Sequence, residues 1–357
     1  MQSNDIVVFD SPVFQEDARA IASAELPWEK YRGHRILVTG ASGMIPMYIV
    51  GALLAANELH DLGLTVVGLV RNRAKAESRF GAALSNPAFE LAVGDVSDAE
   101  SLPAGSFETV FHGASPARPA LHNQSPTTTL KANVLGTINL LDAQVAGGGG
   151  SFVLLSSSEV YGAVSGTDLI AEDAQGVLGH FAPRAAYSEG KRVAETALAA
   201  YQAEFGIRPL VLRFGHIYGP GMALDDGRVQ ADFLADVVLG RNIRMMSAGA
   251  ATRTYTYVAD AALGTFTAHL KGDDSVYNVA DNAGNISIRQ LAEIFVSARP
   301  AKGIELEFAN PDDSRSFSPV ASLGLDSSRL SALGWSPRVS LAEGVNRAVQ
   351  SFEEATN

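Results

Sequence analysis

Arg35-Ile-Leu-Val-Thr-Gly40-Ala-Ser42-Gly43-Met44-Ile45-Pro46-Met47 is the stretch that decides the fold. The β-branched run Ile36 to Val38 reads as a short strand, the middle is a glycine-rich turn, and Met47 to Leu59 continues with apolar residues at helical spacing. Strand, turn and helix in that order open a βαβ unit. In this setting Gly40 and Gly43 permit a tight turn, and the backbone N–H groups of Ser42, Gly43, Met44 and Ile45 lie where a helix N-terminus attracts a pyrophosphate. A Gly-x-x-Gly turn is a weak signal by itself; its position between strand and helix gives it weight. Pro46 replaces the usual third glycine. Proline is tolerated in a first helical turn, where its missing N–H has no intrahelical partner, but the close helix–strand contact that a third glycine allows is not assured.

Further strand-like runs follow at Val66 to Val70, Phe89 to Val93, Thr109 to His112 and Ser151 to Leu155, separated by helical stretches such as Thr129 to Gln144. Strands alternating with helices predict an α/β protein with a Rossmann-type, doubly wound parallel sheet. Gly147 to Gly150 reads as a flexible turn into the fifth strand, because no helix start follows it. After Pro209 to Phe214 the alternation becomes irregular, and Gly219, Pro220 and Gly221 mark a turn. The expected organisation is a 1–33 extension packed on the outside of the core, a dinucleotide-binding domain over 34–213, and a smaller, mainly substrate-binding lobe over 214–357 with returns to the sheet.

Composition narrows the chemistry. The 357 residues are 46% hydrophobic and 18% charged, as expected of a folded enzyme. There is no cysteine, which removes disulfides, thiolate metal sites and thiol nucleophiles together. A net charge of -12 argues against nucleic acid or an anionic membrane as partner, so a phosphorylated substrate needs locally placed arginines. No apolar run reaches about 18 residues. Met1 to Asp10 lacks the basic start and apolar stretch of a signal peptide, so a cytoplasmic location is expected. No His/Asp/Glu grouping has metal-ligand spacing, and no metal is expected.

Asp95-Val96, after a later strand, is placed to contact adenine. The second strand of such a unit normally ends in an acid that binds the ribose hydroxyls. Here Gly68-Leu-Val-Arg71-Asn-Arg73 has none, and either Arg71 or Arg73 could face a 2′-phosphate or simply be solvated, leaving NAD and NADP both open. Tyr187-Ser-Glu-Gly-Lys191 sets a phenol and an ammonium four residues apart on one helix face. A lysine beside a tyrosine favours the phenolate, which can then take a proton from a substrate hydroxyl. Ser156-Ser157-Ser158-Glu159-Val160-Tyr161-Gly162 follows the fifth strand, at the carboxyl end of the sheet where ligands bind. Ser157 can hydrogen-bond the reacting oxygen. Glu159 is a candidate acid/base, or else a cap for its neighbouring serines.

These motifs together resemble the extended short-chain dehydrogenase/reductases, the NAD-dependent epimerase/dehydratase family, and among them most the UDP-glucuronate decarboxylases (UDP-xylose synthases). The resemblance covers roughly residues 34 to 350. Its more specific marks are Ala114-Ser115-Pro116-Ala117 with Pro119, Thr129-Leu-Lys-Ala-Asn133 leading to Gly136-Thr137, Glu189-Gly-Lys-Arg-Val-Ala-Glu195, Asp226-Gly-Arg-Val229 and Thr252-Arg253 before Tyr257-Val258.

The resemblance implies NAD as the leading cofactor, with NADP possible, and a UDP-linked sugar as substrate. Gly40, Ser42, Gly43, Met44, Ile45, Arg71, Asp95, Val96, Ala114, Asn133, Tyr187 and Lys191 would serve the cofactor pocket. Ser157, Glu159, Tyr187 and Lys191 would run the chemistry, and Ser115, Pro116, Ser158, His216, Arg228 and Arg253 would face the substrate. Ser158 stands where 4,6-dehydratases carry an aspartate, so expulsion of water lacks its proton donor and decarboxylation becomes the expected middle step, ahead of 4-epimerisation or dehydration. A non-catalytic nucleotide-sugar sensor would lack Tyr187 or Lys191, and both are present. Two departures stand out: family members usually carry Asn at His216 and Arg at Gly221. His216 is expected to be a packed turn residue, and His112 a structural histidine on the fourth strand. The helices Thr129 to Gln144 and Ala185 to Tyr201 resemble those that pair relatives into homodimers.

Overall fold

The computed structural model describes residues 8–116, 118–119, 124–164, 169–179, 181–309 and 322–354; the start of the N-terminal extension and Ala117 of the Ala114–Ala117 motif lie outside them. The quoted stretch forms β1 (Arg35–Thr39) and, after a turn, helix α2 (Met44–His60), with α1 (Pro12–Ala22) preceding both. β2 (Thr65–Val70), β3 (Phe89–Val93), β4 (Thr109–His112), β5 (Ser151–Ser157), β7 (Arg208–Phe214) and β11 (Val276–Val279) join β1 in a seven-stranded sheet of order β3-β2-β1-β4-β5-β7-β11. Every pairing in it is parallel. The order runs outward from β1 in both directions, so a crevice opens above the carboxyl ends of β1 and β4, where the connections diverge. Val276–Val279 comes from the second half of the chain to form one edge, aligned on Val211 to Phe214.

The remaining strands are short. β6 (Leu169–Ile170), β8 (His216–Tyr218), β10 (Thr252–Tyr257), β12 (Asn285–Ser287) and β14 (Ser322–Leu325) make a second sheet centred on β10, while β9 (Ile243–Met245) and β13 (Leu306–Phe308) form a parallel pair. Their pairings carry residues of the second half of the chain to the mouth of the crevice. His216 is therefore a strand residue opposite Tyr255, and not part of a turn.

The N-terminal extension differs from expectation. Val13, Phe14, Ala18, Ile21 and Ala22 of α1 are buried in the main core, as are Trp28 and Tyr31 after it. Phe14 lies so close to Gly51 of α2 that a Cβ there would come within 2.7 Å of its ring, and its edge meets Tyr48 with centroids 4.6 Å apart. Asp17, on the same face, accepts hydrogen bonds from Tyr48 at 2.8 Å and Tyr257 at 2.6 Å and pairs with Arg347 at 2.8 Å. A carboxylate can be buried here because three partners satisfy it. The extension is thus part of the core, clamped between the first helix of the sheet and the helix Leu341–Glu354.

Candidate active site

A cavity of about 920 Å³ lies over the carboxyl ends of the central strands, and the Gly40–Pro46 turn forms its floor. Gly40 has φ +65°, and a Cβ on it would approach the backbone of Ala114 to 2.9 Å, so both conformation and space require glycine. Gly43 caps α2 with extended backbone and no side-chain hydrogen bond, leaving the first amides of the helix directed to the cavity. The close contact that a third glycine would have provided is made in another way. Pro46 is buried against Gly113, where any Cβ would meet the proline ring at 2.6 Å, so the glycine has moved from the helix to β4's end. The residues present fit a dinucleotide pyrophosphate at this turn.

Beyond the turn, Asp95 and Val96 line the cavity. Burial pushes the Asp95 carboxyl up, but the Ser97 amide and hydroxyl and the Arg71 guanidinium outweigh it and hold the group below its ordinary value. Arg71 also lines the cavity, 3.8 Å from Asp95, whereas Arg73 is absent from the lining and pairs with Glu77 at 3.3 Å. Three cations the sequence did not single out also line the cavity, grouped near Gly221 and Asp225: Lys75, Arg79 and Arg118. Arg79 is only 5% exposed, donates to the Gly221 carbonyl at 2.9 Å, and has a buried Nε without a partner among the described residues. Its Nη2 lies 3.1 Å from where a Cβ on Gly221 would be. The arginine expected at 221 is missing, and a guanidinium from α3 (Arg73–Phe80) is in its place.

At the centre, β5 ends in Ser157, whose Oγ accepts the Glu159 amide at 3.2 Å and bonds the Tyr187 hydroxyl. Tyr187 and Lys191 project from one face of the helix Ala185–Phe205, both buried. Lys191 Nζ donates to the Leu155 carbonyl at 2.8 Å, and burial, partly offset by Glu195, lowers it to about 8. The expected depression of the phenol is not found. Burial raises Tyr187, the nearby Glu159 carboxylate adds to this, and Arg228 with Ser157 only partly counter them, while the lysine's charge is directed at a backbone carbonyl. Glu159 accepts from Ser188 at 3.1 Å and lies 3.6 Å from Arg184; Ser158 is buried beside it. Behind the strand, Ser156 donates to Glu195 at 2.5 Å, and Arg213 clamps the same carboxylate.

Ser115, Pro116, Ser158, His216, Arg228 and Arg253 all border the cavity. Arg228 is held by Asp226 at 2.9 Å, and His216 is kept neutral, at about 3, by burial and by Arg253 and Arg228. Gln230 and Tyr255 border it too, unforeseen from sequence. Ser115 Oγ, His216 Nδ1, Tyr255 Oη and both polar atoms of Gln230 are buried without hydrogen-bond partners among the described residues. So many unpaired polar atoms around one cavity point to a polar ligand, since each costs about 1–3 kcal/mol if left unpaired. Asn133 is the exception among the expected residues. It is buried away from the cavity, its amide donating to Thr129 O at 3.0 Å and its side chain facing Gly190; its neighbour Ala132 lines the cavity instead.

Residues 36–280 match the NAD dependent epimerase/dehydratase family. Over 327 residues the chain is 31% identical to UDP-glucuronic acid decarboxylase 3 of Arabidopsis thaliana, covering 90% of each protein. It is 30% identical to UDP-glucuronic acid decarboxylase 1 of Xenopus tropicalis over 90% of this chain and 72% of that protein. Among solved structures, the UDP-glucose 4-epimerase of Thermotoga maritima aligns with a TM-score of 0.75 and 24% identity over 90% of this chain and 100% of the other. The UDP-glucuronic acid 4-epimerase of Bacillus cereus aligns equally well at 22% identity, over 90% and 99%. A glycine-cradled helix N-terminus, a buried Tyr187/Lys191 pair at the end of β5 and a family match over more than half the chain agree: this chain belongs to the NAD dependent epimerase/dehydratase family.

Proposed function

We propose that the protein decarboxylates UDP-glucuronate to a UDP-pentose by transient oxidation at the sugar C4. The bound nicotinamide dinucleotide supplies the site that takes the C4 hydride and gives it back. Tyr187 receives the 4-hydroxyl proton, and Ser157, already bonded to its hydroxyl, holds the same oxygen. Lys191, one turn on along the same helix face, is the cation that would stabilise a phenolate once its Nζ turns from the Leu155 carbonyl. With a ketone at C4 the sugar is a β-keto acid: the C5–C6 bond breaks, carbon dioxide leaves, and the electron pair becomes an enolate whose oxygen faces Tyr187 and Ser157. Glu159, held by Ser188 and Arg184, is placed to manage the proton that returns to C5. Arg228 and Arg253 suit the diphosphate.

The observation that carries this reading is Ser158. Buried beside Glu159, it offers a hydroxyl where loss of water would need an acid. A cytoplasmic homodimer is part of the proposal. Leu130 and Leu135 on the helix Pro126–Ala146 and Val193 on the helix Ala185–Phe205 are exposed, which suits pairing of these helices between copies, and a chain without cysteine needs no oxidising compartment. Purified protein given UDP-glucuronate is expected to release carbon dioxide and form a pentose product without added reductant. A product of unchanged mass, one lighter by water, or stoichiometric consumption of a dinucleotide would refute it.

A further inference from the structure

Three consecutive residues of β5 are tied to three successive turns of the helix Ala185–Phe205. The Leu155 carbonyl accepts from Lys191 Nζ at 2.8 Å, the Ser156 hydroxyl donates to Glu195 at 2.5 Å, and Ser157 bonds the Tyr187 hydroxyl. Tyr187, Lys191 and Glu195 follow one another at a spacing of four, so a single face of the helix carries all three. The outer two ties hold the tyrosine and the lysine of the site. The middle tie holds a carboxylate that the reaction does not touch.

Glu195 is no surface acid. Its side chain is 13% exposed and that of its partner Arg213 is 14% exposed, and the guanidinium grips it from Nε at 3.1 Å and from Nη2 at 2.6 Å. Arg213 stands opposite Ser156 in the β5–β7 register, so two cross-strand neighbours hold the same carboxylate. Its Nη1 donates onward to the Tyr161 hydroxyl at 3.0 Å and the Glu172 carbonyl at 2.8 Å. A pair this far from solvent costs much of its attraction in desolvation and adds little to stability. Its position is what sets it apart. Glu195 is one helical turn from Lys191 and is the charge that works against burial on the ammonium. The other groups around that lysine are neutral: the Tyr187 phenol, the His112 imidazole on β4, and Asn133, which the helix Pro126–Ala146 presents to Gly190. Glu159 and Arg228 act on the phenol from its other side.

We propose that Glu195 is a positioning residue for proton transfer at Tyr187: through Ser156 it locks the helix to the end of β5, and its carboxylate, shared with Arg213, keeps the Lys191 ammonium charged. This rests on Tyr187 and Lys191 as the proton-handling pair and not on the identity of the sugar. The chain carries lysine at six positions, so the Cε resonance of Lys191 can be followed against pH in the free, lysine-labelled protein. Its midpoint is expected near 8 in the parent, about one pH unit lower in Glu195→Gln, and higher in Arg213→Met, where the carboxylate is left unneutralised. General damage to the fold does not move one midpoint in two directions. The double variant Glu195→Gln/Arg213→Met leaves neither charge buried and should show the lowered midpoint even where Glu195→Gln alone fails to fold. The alkaline limit of turnover should follow the midpoint in each variant. Ser156→Ala, which cuts the tie and leaves the charges, should lower turnover about fivefold without moving that limit. A midpoint equal in the parent and Glu195→Gln, or lowered in both single variants, overturns the proposal, as does a turnover limit that stays in place while the midpoint moves. Failure to turn over UDP-glucuronate with the midpoints moved as expected would remove the proposed reaction and leave the assignment of Glu195 standing.

Discussion

Acidification from pH 7 to pH 5 is expected to weaken the fold through its buried imidazoles, among them His269 on the helix Val258–Lys271 and His112 on β4. His269 is 6% exposed, with its ring stacked on Tyr31 and Nδ1 2.6 Å from the Tyr31 hydroxyl; burial, with Arg208, His34 and Lys30 nearby, holds it at about 3. His112 is 1% exposed, 2.8 Å from the Thr39 hydroxyl, and burial with the charge of Lys191 also holds it at about 3. In the unfolded chain an imidazole titrates near 6.5. Between these values the unfolded chain takes up protons that the native state refuses, so stability present above 6.5 is lost as the pH falls. The loss between pH 7 and pH 5 is about 2 kcal/mol for each ring. Asp260 acts in the opposite sense. Burial raises it to about 6, so the native state takes a proton the unfolded chain does not, returning about 1 kcal/mol over the same interval. His269→Phe isolates one term, because the lost Tyr31 contact costs the same at both pH values. Urea unfolding followed by Trp28 and Trp335, both buried, should show the variant losing about 2 kcal/mol less than the parent on going from pH 7 to pH 5. Equal losses in the two proteins would refute the buried-neutral assignment, as would an imidazole resonance of His269 that moves between pH 7 and pH 5 in the folded state.

Tyr187→Phe is expected to lower turnover by about 10²–10⁴ while dinucleotide affinity holds, which separates a proton-transfer role from a packing role. In the parent, turnover should fall as the pH rises past about 8, where Lys191 loses its charge in the native state, and Lys191→Met should remove that dependence along with most of the rate. Asp17→Ala, read by urea unfolding at pH 7, should cost about 3–5 kcal/mol, because Arg347 is left without its buried partner and two tyrosine hydroxyls lose their acceptor.

Much of the central sheet was legible because its strands are apolar runs bounded by turns. Phe89–Val93 and Thr109–His112 match the sequence reading residue for residue. β5 runs two residues further than its apolar run, since Ser156 and Ser157 remain paired with Arg213 and Phe214 despite their polarity. The second sheet was not legible. β6, β8 and β12 are two or three residues long and exist through partners far away in sequence, so no local period announces them. α1 did carry a helical period, but Asp17 interrupts its apolar face, and only Tyr48, Tyr257 and Arg347 make that acid acceptable in the core. Arg79 was hidden for the opposite reason. Beside Arg73 and Lys75 it reads as one more solvated cation, and its burial is decided by Val8 and Gly221, which only the fold brings near. The phenol of Tyr187 shows the same limit: spacing placed it next to Lys191, but the direction of its shift depends on Glu159 and on where the ammonium points.

Asp17 has a consequence for the order in which the molecule can be completed. Its hydrogen-bonding partners lie at positions 48, 257 and 347, so the carboxylate waits for residues made long after it. On a ribosome adding about 5–20 residues per second, that interval is on the order of tens of seconds, during which Asp17 lacks Tyr257 and Arg347. α1 can dock on α2 as soon as both exist, but its buried carboxylate is among the last groups of the core to be satisfied.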